Sequence, residues 1–193
     1  HVQRFRFGSG MGMATNKMQD GVALQRFGQP APAQIAHIEA DEDQRHAGTL
    51  TLDMARLTRI DINEADLYVT VEPGVTWAQL YAAVGARGLR TPMWGPFSGL
   101  AATVGGGMSH YAVNYGSGLY GVSAESLLGM DVILASGEML STGSGGGTNS
   151  LPFYRYYGPD LTGLFVGDAG ALGVKARMTL RLMQKPAGFA GSS

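Results

Sequence analysis

Glycines rather than ionisable side chains carry the chemistry to which this sequence points. The stretch Gly95 to Gly121 holds a Gly-Gly-Gly run at Gly105-Gly106-Gly107 and a Gly-Ser-Gly turn at Gly116-Ser117-Gly118, and it contains no Asp, Glu, Lys or Arg. Glycine lets main chain approach another surface closely or adopt positive φ. A run of this kind therefore reads as backbone wrapped around something other than solvent. A second glycine cluster, Gly8-Ser9-Gly10-Met11-Gly12, follows the alternating segment Val2 to Phe7. A strand feeding alternating glycines can present consecutive N–H groups to an anion, as phosphate loops do; a flexible terminal turn is the alternative reading.

Side-chain catalysis finds little support. The chain has no cysteine, which removes thiol nucleophiles, thiolate metal sites and disulfides. No Gly-x-Ser-x-Gly elbow, His-Glu-x-x-His pair or Walker-type Gly-Lys-Ser occurs, and the glycines lack the Rossmann spacing. His37 and His46 have no ligand spacing around them. His110 is the one histidine inside the glycine stretch and reads as a surface or hydrogen-bonded structural group. Any redox or group-transfer chemistry must then be borrowed from a cofactor.

The totals bound the rest. With 193 residues, 45% of them apolar, the chain makes one domain, or one large and one small lobe. A net charge of −1 gives no electrostatic term for nucleic acid or anionic lipid. No apolar run is long enough to span a bilayer, and the N-terminus shows no leader pattern. The location expected is the cytoplasm, although a chain without cysteine suits a periplasm equally well.

These glycines need elements to position them. Thr49 to Asp53 reads as a strand, Leu57 to Ile62 as an apolar cluster, and Leu67 to Glu72 as a strand with Leu67, Val69 and Val71 on one face. Thr76 and Gln79 form a capping-box pair opening a helix. Its stripe is Trp77, Leu80, Tyr81 and Val84, and Gly88 closes it. Met130 to Ala135 suits a buried strand, turning at Ser136-Gly137-Glu138 into Met139 to Thr142. Gly143 to Ser150 reads as a mobile loop, and Phe153 to Tyr157 as an aromatic segment over a core edge. Asp160 lies in the first turn of a short helix within Pro159 to Phe165. Val174 to Met183 alternates as a long strand with Lys175 and Arg177 on a wet face. Residues 18 to 47 read as an unstructured surface insertion, with Pro30 and Pro32 and an acidic run from Ala40 to Arg45. The fold class predicted is α+β with a mainly antiparallel sheet.

Five segments, in order, resemble a known family: Val71 to Trp77 (Val-Glu-Pro-Gly-Val-Thr-Trp), Thr103 to Gly106, Tyr120-Gly121, Leu128 to Gly137 and Gly167 to Val174. Together they are similar to the FAD-binding domain of the vanillyl-alcohol oxidase / p-cresol methylhydroxylase flavoproteins. D-lactate and D-2-hydroxyglutarate dehydrogenases carry the same type of domain. The resemblance covers about Gly48 to Leu182. It implies a two-lobed domain holding FAD between the lobes, and a hydroxy acid or alcohol that gives a hydride to the flavin. Carried over by position, Ser98, Gly99, Thr103, Val104, Gly105 and Gly106 would line the diphosphate and ring. Ser109, Gly116, Ser117 and Gly118 would continue that wall, and Gly173 and Val174 would meet the flavin or adenine edge. Gly8, Ser9, Gly10, Met11 and Gly12 would stand for the phosphate loop of the first lobe.

The resemblance divides the chain into 1–47, a partial first lobe with an insertion; 48–185, the second lobe; and 186–193, a disordered tail. The family's cap domain, with most of its substrate pocket and its general base, has no counterpart here. Ala169 replaces the family's acidic residue, and Tyr111 stands where a small or amide residue is expected. No histidine is placed for a covalent flavin link. The partners implied are FAD and either a second copy of the chain or a separate cap-domain chain, with no nucleic acid and no membrane. The alternative is a truncated, non-catalytic module that keeps the fold and binds a partner chain.

Overall fold

A computed structural model describes residues 35–39, 49–95 and 100–186 of the chain. The expected strand Val2 to Phe7, the loop Gly8 to Gly12, residues Ser98 and Gly99 and the tail beyond 186 lie outside the described residues.

The strands draw most of their residues from Val, Ile, Leu, Met and Thr. In chain order these are β1 (Ile35–Glu39), β2 (Thr49–Leu52), β3 (Ile60–Asn63), β4 (Tyr68–Val71), β5 (Leu89–Arg90), β6 (Leu127–Ile133), β7 (Met139–Ser141), β8 (Val174–Arg181) and β9 (Met183–Gln184). Five of them form one sheet in the order β3-β4-β8-β6-β7, with every pairing antiparallel. β1 pairs with β2, and β5 with β9. The helices are α1 (Trp77–Gly85), α2 (Val104–Ser109), α3 (Ser117–Tyr120) and α4 (Leu161–Leu164). This is the α+β class with a mainly antiparallel sheet that the sequence predicts.

The core lies between one face of this sheet and helices α1 and α2. Val69 and Val71 of β4, Met130 and Val132 of β6, and Met178 and Leu180 of β8 meet Trp77, Leu80 and Val84 of α1 and Val104 and Met108 of α2. The helix stripe reads as predicted, except that Tyr81 is only half-buried. The capping box is formed in full: the Thr76 hydroxyl accepts from the Gln79 amide and the Gln79 side chain accepts from the Thr76 amide. Gly88 takes φ +69° beyond the helix end, the left-handed geometry that stops a helix. The β6–β7 hairpin turns at Gly137 with φ +82°.

Five expectations need correction. Residues 18 to 47 are not wholly irregular, because Ile35–Glu39 pairs with Thr49–Leu52; a register shift between Ile35 and His37 breaks the period of two by which a strand is recognised. Leu67 is not in β4; it is a turn residue at φ +53°, following the Asn63 side chain that accepts from the Asp66 amide. The loop from Gly143 is pinned, not loose. The buried Ser144 hydroxyl donates to the Leu151 carbonyl and accepts from the Phe153 and Tyr154 amides. Phe153, Tyr156 and Tyr157 do not cover the core, since all are more than half exposed. What docks their segment is Arg155, which makes a forked ion pair with Asp160 and donates to the Ala124 carbonyl.

The fifth correction is at β8. Its alternation predicts Lys175 in water beside Arg177, yet Lys175 is 4% exposed. A bulge at Ala176 explains this. Arg177 pairs with Asp131, but Lys175 pairs with Val132, so Ala176 has no opposite residue. One extra residue exchanges the faces of everything beyond it. Lys175 is thereby set beside Val132, a residue of the main core, while Val174 and Ala176 join Ile133, Leu52 and Met54 in a separate cluster.

Two measurements test these assignments. Thr76→Ala removes the α1 cap and should lower stability by about 1 kcal/mol in urea unfolding. The hydrogen-bonded Arg155 guanidinium holds the Asp160 carboxyl below the usual carboxylate range, with burial opposing it. The pair therefore stabilises the fold above the unfolded value of about 3.9, and that contribution is lost as pH falls through the depressed folded value. Asp160→Asn should lower the urea midpoint at pH 7 and flatten its decline below about pH 4.

Candidate functional site

β4 ends at Val71, Pro73-Gly74 turns the chain, and an unusual join follows. The Trp77 amide donates to the Ala102 carbonyl, and the Val104 amide to the Val75 carbonyl. This antiparallel bridge of Thr76 with Thr103 sets the first residues of α1 and α2 side by side. Thr103 caps α2 as Thr76 caps α1, its hydroxyl accepting from the Gly106 amide. The sequence reading missed α2 because glycine is a poor helix former; tertiary contact forms it instead. A Cβ on Gly105 would lie 2.8 Å from the Pro73 carbonyl oxygen, and one on Gly107 3.1 Å from the Trp77 indole nitrogen. A Cβ on Gly106 would meet only the Thr103 hydroxyl. Two of the three glycines thus serve packing, and Gly106 alone faces open space.

The open side of α2 forms one wall of a cleft of about 290 Å³. Thr103, Gly105, Gly106 and Ser109 line it from α2, His110 stands at its rim, and Val174 and Lys175 close it from β8. Five positions carried over by resemblance are therefore brought together: Thr103, Gly105, Gly106, Ser109 and Val174. Val104 is fully buried behind the cleft wall. Gly173 packs against Val132 and the Ile133 carbonyl of β6. Gly116, Ser117 and Gly118 belong to the start of α3 and do not line this cleft.

The amides of α2 are already engaged. Val104 donates to Val75, Gly105 to the Pro73 carbonyl and Gly106 to Thr103. What this wall offers a ligand is close approach at Gly106 and the hydroxyl of Thr103, rather than a row of free N–H donors.

Loop 167–172 contributes Ala169 to the lining of the cleft. Its Gly167 amide donates to the Met108 carbonyl and its Ala169 amide to the Ser109 carbonyl, which docks it on the end of α2. Asp168 then organises it: one carboxylate oxygen accepts from the Gly170 amide and from the Lys175 ammonium at 2.6 Å, the other from the Leu172 amide. Both side chains of this ion pair are 3% exposed. Burial pushes the Lys175 ammonium below the ordinary lysine range, and Asp168 opposes that shift. Neither residue of the pair was singled out from sequence, because only the bulge at Ala176 brings them together.

Backbone strain collects at the same place. Tyr111 has φ +57° and Ala169 φ +49°, conformations that side-chain-bearing residues rarely adopt. These are the two positions at which the chain departs from the residue types the resemblance implies. A larger groove, about 330 Å³, lies on the other face of the sheet. It contains none of the predicted residues, and its charged residues already have partners: Arg177 with Asp131 at 2.7 Å, Asp131 with Ser141 at 2.6 Å and Asp61 with Arg59 outside the groove. The α2 cleft is therefore the candidate site.

Residues 37–143 match the family described as FAD binding domain. The chain belongs to that family. Its cofactor is FAD, as the resemblance implies, and the relatives it matches include FAD-linked oxidoreductases. It is 34% identical over 140 residues to "Glycolate oxidase subunit GlcD" of Bacillus subtilis, covering 72% of this chain and 28% of that protein. It is 34% identical over 148 residues to "4-cresol dehydrogenase [hydroxylating] flavoprotein subunit" of Pseudomonas putida, covering 74% of this chain and 27% of that one. The chain thus spans little more than a quarter of the length of these relatives. A solved structure of alkyldihydroxyacetonephosphate synthase superposes with TM-score 0.58 at 15% identity, over 70% of this chain and 25% of that one; this likeness concerns the fold alone. Among the described residues no helix is long and apolar enough to cross a membrane.

The glycines of α2 can be told apart by substitution. Gly105→Ala drives a methyl into the Pro73 main chain and should cost about 1–3 kcal/mol in thermal or urea unfolding. Gly106→Ala should stay within about 0.5 kcal/mol of the unsubstituted chain, the gain in helix propensity offsetting the crowding of the Thr103 hydroxyl.

Proposed function

We propose that this chain is the flavin-binding portion of an FAD-dependent oxidoreductase acting on a hydroxy acid or an alcohol. The observation that carries the reading is the α2 cleft. It gathers side-chain-free backbone at Gly106, the hydroxyl of Thr103, Ser109 and a buried ammonium at Lys175, in a chain of an FAD-binding family. The substrate class is supported by the activities named for its relatives, a glycolate oxidase subunit and a cresol dehydrogenase subunit.

FAD bound here supplies the acceptor for the hydride that leaves the substrate carbon. The protein supplies position. Gly106 admits a flat ring close to the main chain, Thr103 offers a hydroxyl that donates or accepts, and Ser109 lines the cleft with them. Val174 contributes its main chain, and Gly173 sets that main chain by packing on β6. Val104 fixes the wall from behind, and Gly105 lines it while packing on Pro73. In this reading Ser98 and Gly99 extend the wall before α2, Gly116, Ser117 and Gly118 extend it after, and the loop Gly8-Ser9-Gly10-Met11-Gly12 takes the phosphates. The turn at Gly116 keeps its place because the adjacent Asn114 amide is buried with neither its oxygen nor its nitrogen paired, a group that a bound polar ligand or a water would satisfy.

Exposed apolar residues lie within the glycine stretch. Leu100, Val113 and Leu119 are at least two-thirds exposed, and Tyr111 and Tyr115 about half. Surface of this kind marks a place that something covers. Under the proposed reading it is covered by the cofactor and the facing lobe. The exposed segment Phe153 to Tyr157 would meet a cap domain, on this or a separate chain, or a second copy. The same exposure favours the second reading, a non-catalytic module on a partner chain. Turnover of any substrate by the purified chain would exclude that one.

The decisive experiment is titration of the purified chain with FAD, followed by flavin fluorescence and visible absorption. Saturable quenching is expected. Gly106→Leu, which fills the open side of α2, should weaken the binding by about tenfold or more. Unquenched flavin with the unsubstituted chain would overturn the cofactor assignment.

A further inference from the structure

The Lys175 ammonium carries three N–H donors. Asp168 takes one at 2.6 Å, and among the described residues no other acceptor meets the group. A lysine that is 4% exposed, with donors left over, is costly to a fold unless something supplies acceptors. Lys175 is also one of the residues that line the α2 cleft, with Thr103, Gly106 and Ser109.

Local structure fixes it there. The bulge at Ala176 turns Lys175 from the wet face of β8 to the face beside Val132. Asp168 receives it with a carboxylate already fixed by the Gly170 and Leu172 amides. The ammonium is thus held by a rigid anchor, in a residue that lines the cleft. Loop 167–172 is in turn docked on α2 through the Gly167 and Ala169 amides, so the cation has a fixed position relative to Gly106.

We propose that Lys175 is a cofactor-contacting residue, its free N–H donors meeting an oxygen acceptor of the FAD held in the α2 cleft. The inference rests on the proposed FAD site and adds to it a charged contact that the glycine wall does not contain. FAD has two kinds of acceptor oxygen, on its diphosphate and on its flavin ring, and either would complete the ammonium's hydrogen bonds. Asp168 is the positioning residue, acting through Lys175. Burial lowers the basicity of the ammonium, as loss of its solvation does, and Asp168 opposes the shift.

The test compares Kd values for FAD, riboflavin and ADP, by flavin fluorescence and calorimetry, in the unsubstituted chain, Lys175→Met and the double variant Asp168→Asn/Lys175→Met. The double variant removes both charges together, so no carboxylate is left buried and unpaired, and its fold is checked by circular dichroism. FAD should bind about ten- to a hundredfold more weakly to both variants, as for a lost charge-assisted hydrogen bond. A matching loss for riboflavin with a shifted visible band assigns the contact to the ring; a matching loss for ADP assigns it to the diphosphate. Folded variants that bind FAD as tightly as the unsubstituted chain overturn the role of Lys175 and leave the FAD site standing. No FAD binding by the unsubstituted chain overturns both.

Discussion

Two backbone hydrogen bonds, Trp77 to Ala102 and Val104 to Val75, hold the arrangement on which the rest depends. They fasten the starts of α1 and α2 together at the end of β4, and Gly105 adds a third bond to the Pro73 carbonyl. A six-residue helix with three consecutive glycines has little tendency to form alone. It exists because its first amides are consumed by a neighbouring loop and its buried side, Val104 and Met108, enters the main core. Glycine at 105 is the condition for that approach, since a side chain there would strike the Pro73 main chain, while one at 107 would crowd the Trp77 indole. The glycine stretch is thus bound inward as tightly as it is open outward.

The second constraint is the bulge in β8. A regular strand would send Lys175 into solvent with Arg177, and the loop 167–172 would lose the cation that Asp168 holds. One unpaired residue, Ala176, converts a surface lysine into a buried one and gives the cleft its only charge pair among the described residues lining it or anchoring its wall. Removing one partner of such a pair costs more than the pair contributes, because the other charge stays buried. The pair is therefore better understood as a device that fixes a cation in place than as a source of stability.

Much of this was legible in the sequence. The capping box at Thr76, the stripe from Trp77 to Val84 and the turn at Gly137 each depend on residues within a few positions of one another, and local rules read them correctly; Asp160, expected in the first turn of α4, is instead its N-cap. The cleft residues Thr103, Gly105, Gly106, Ser109 and Val174 came from an ordered set of short motifs, which carry positional information that composition does not. What stayed hidden depends on pairing between distant segments. α2 needs Pro73 and Val75, Lys175 needs a register shift against β6, and β1 needs β2 with a shift of its own. Alternation assumes an unbroken register, so each bulge reverses the face that it assigns to every residue beyond.

The strained residues join these threads. Tyr111 and Ala169 hold left-handed backbone at a cost of about 1–2 kcal/mol each, and neither is a glycine or an asparagine. A Cβ on Gly167 would collide with the Tyr111 ring, so the two loops are fitted to each other through one strained residue and one glycine. Ala169 lies next to Asp168 and donates its amide to the Ser109 carbonyl. Relaxing its φ would break that bond and move Asp168, and with it the Lys175 ammonium. Strain persists where surrounding contacts over-determine the backbone. Here the contacts that do so are those that set loop 167–172 against α2, which makes the geometry of the cleft, rather than the stability of the sheet, the quantity that these two conformations preserve.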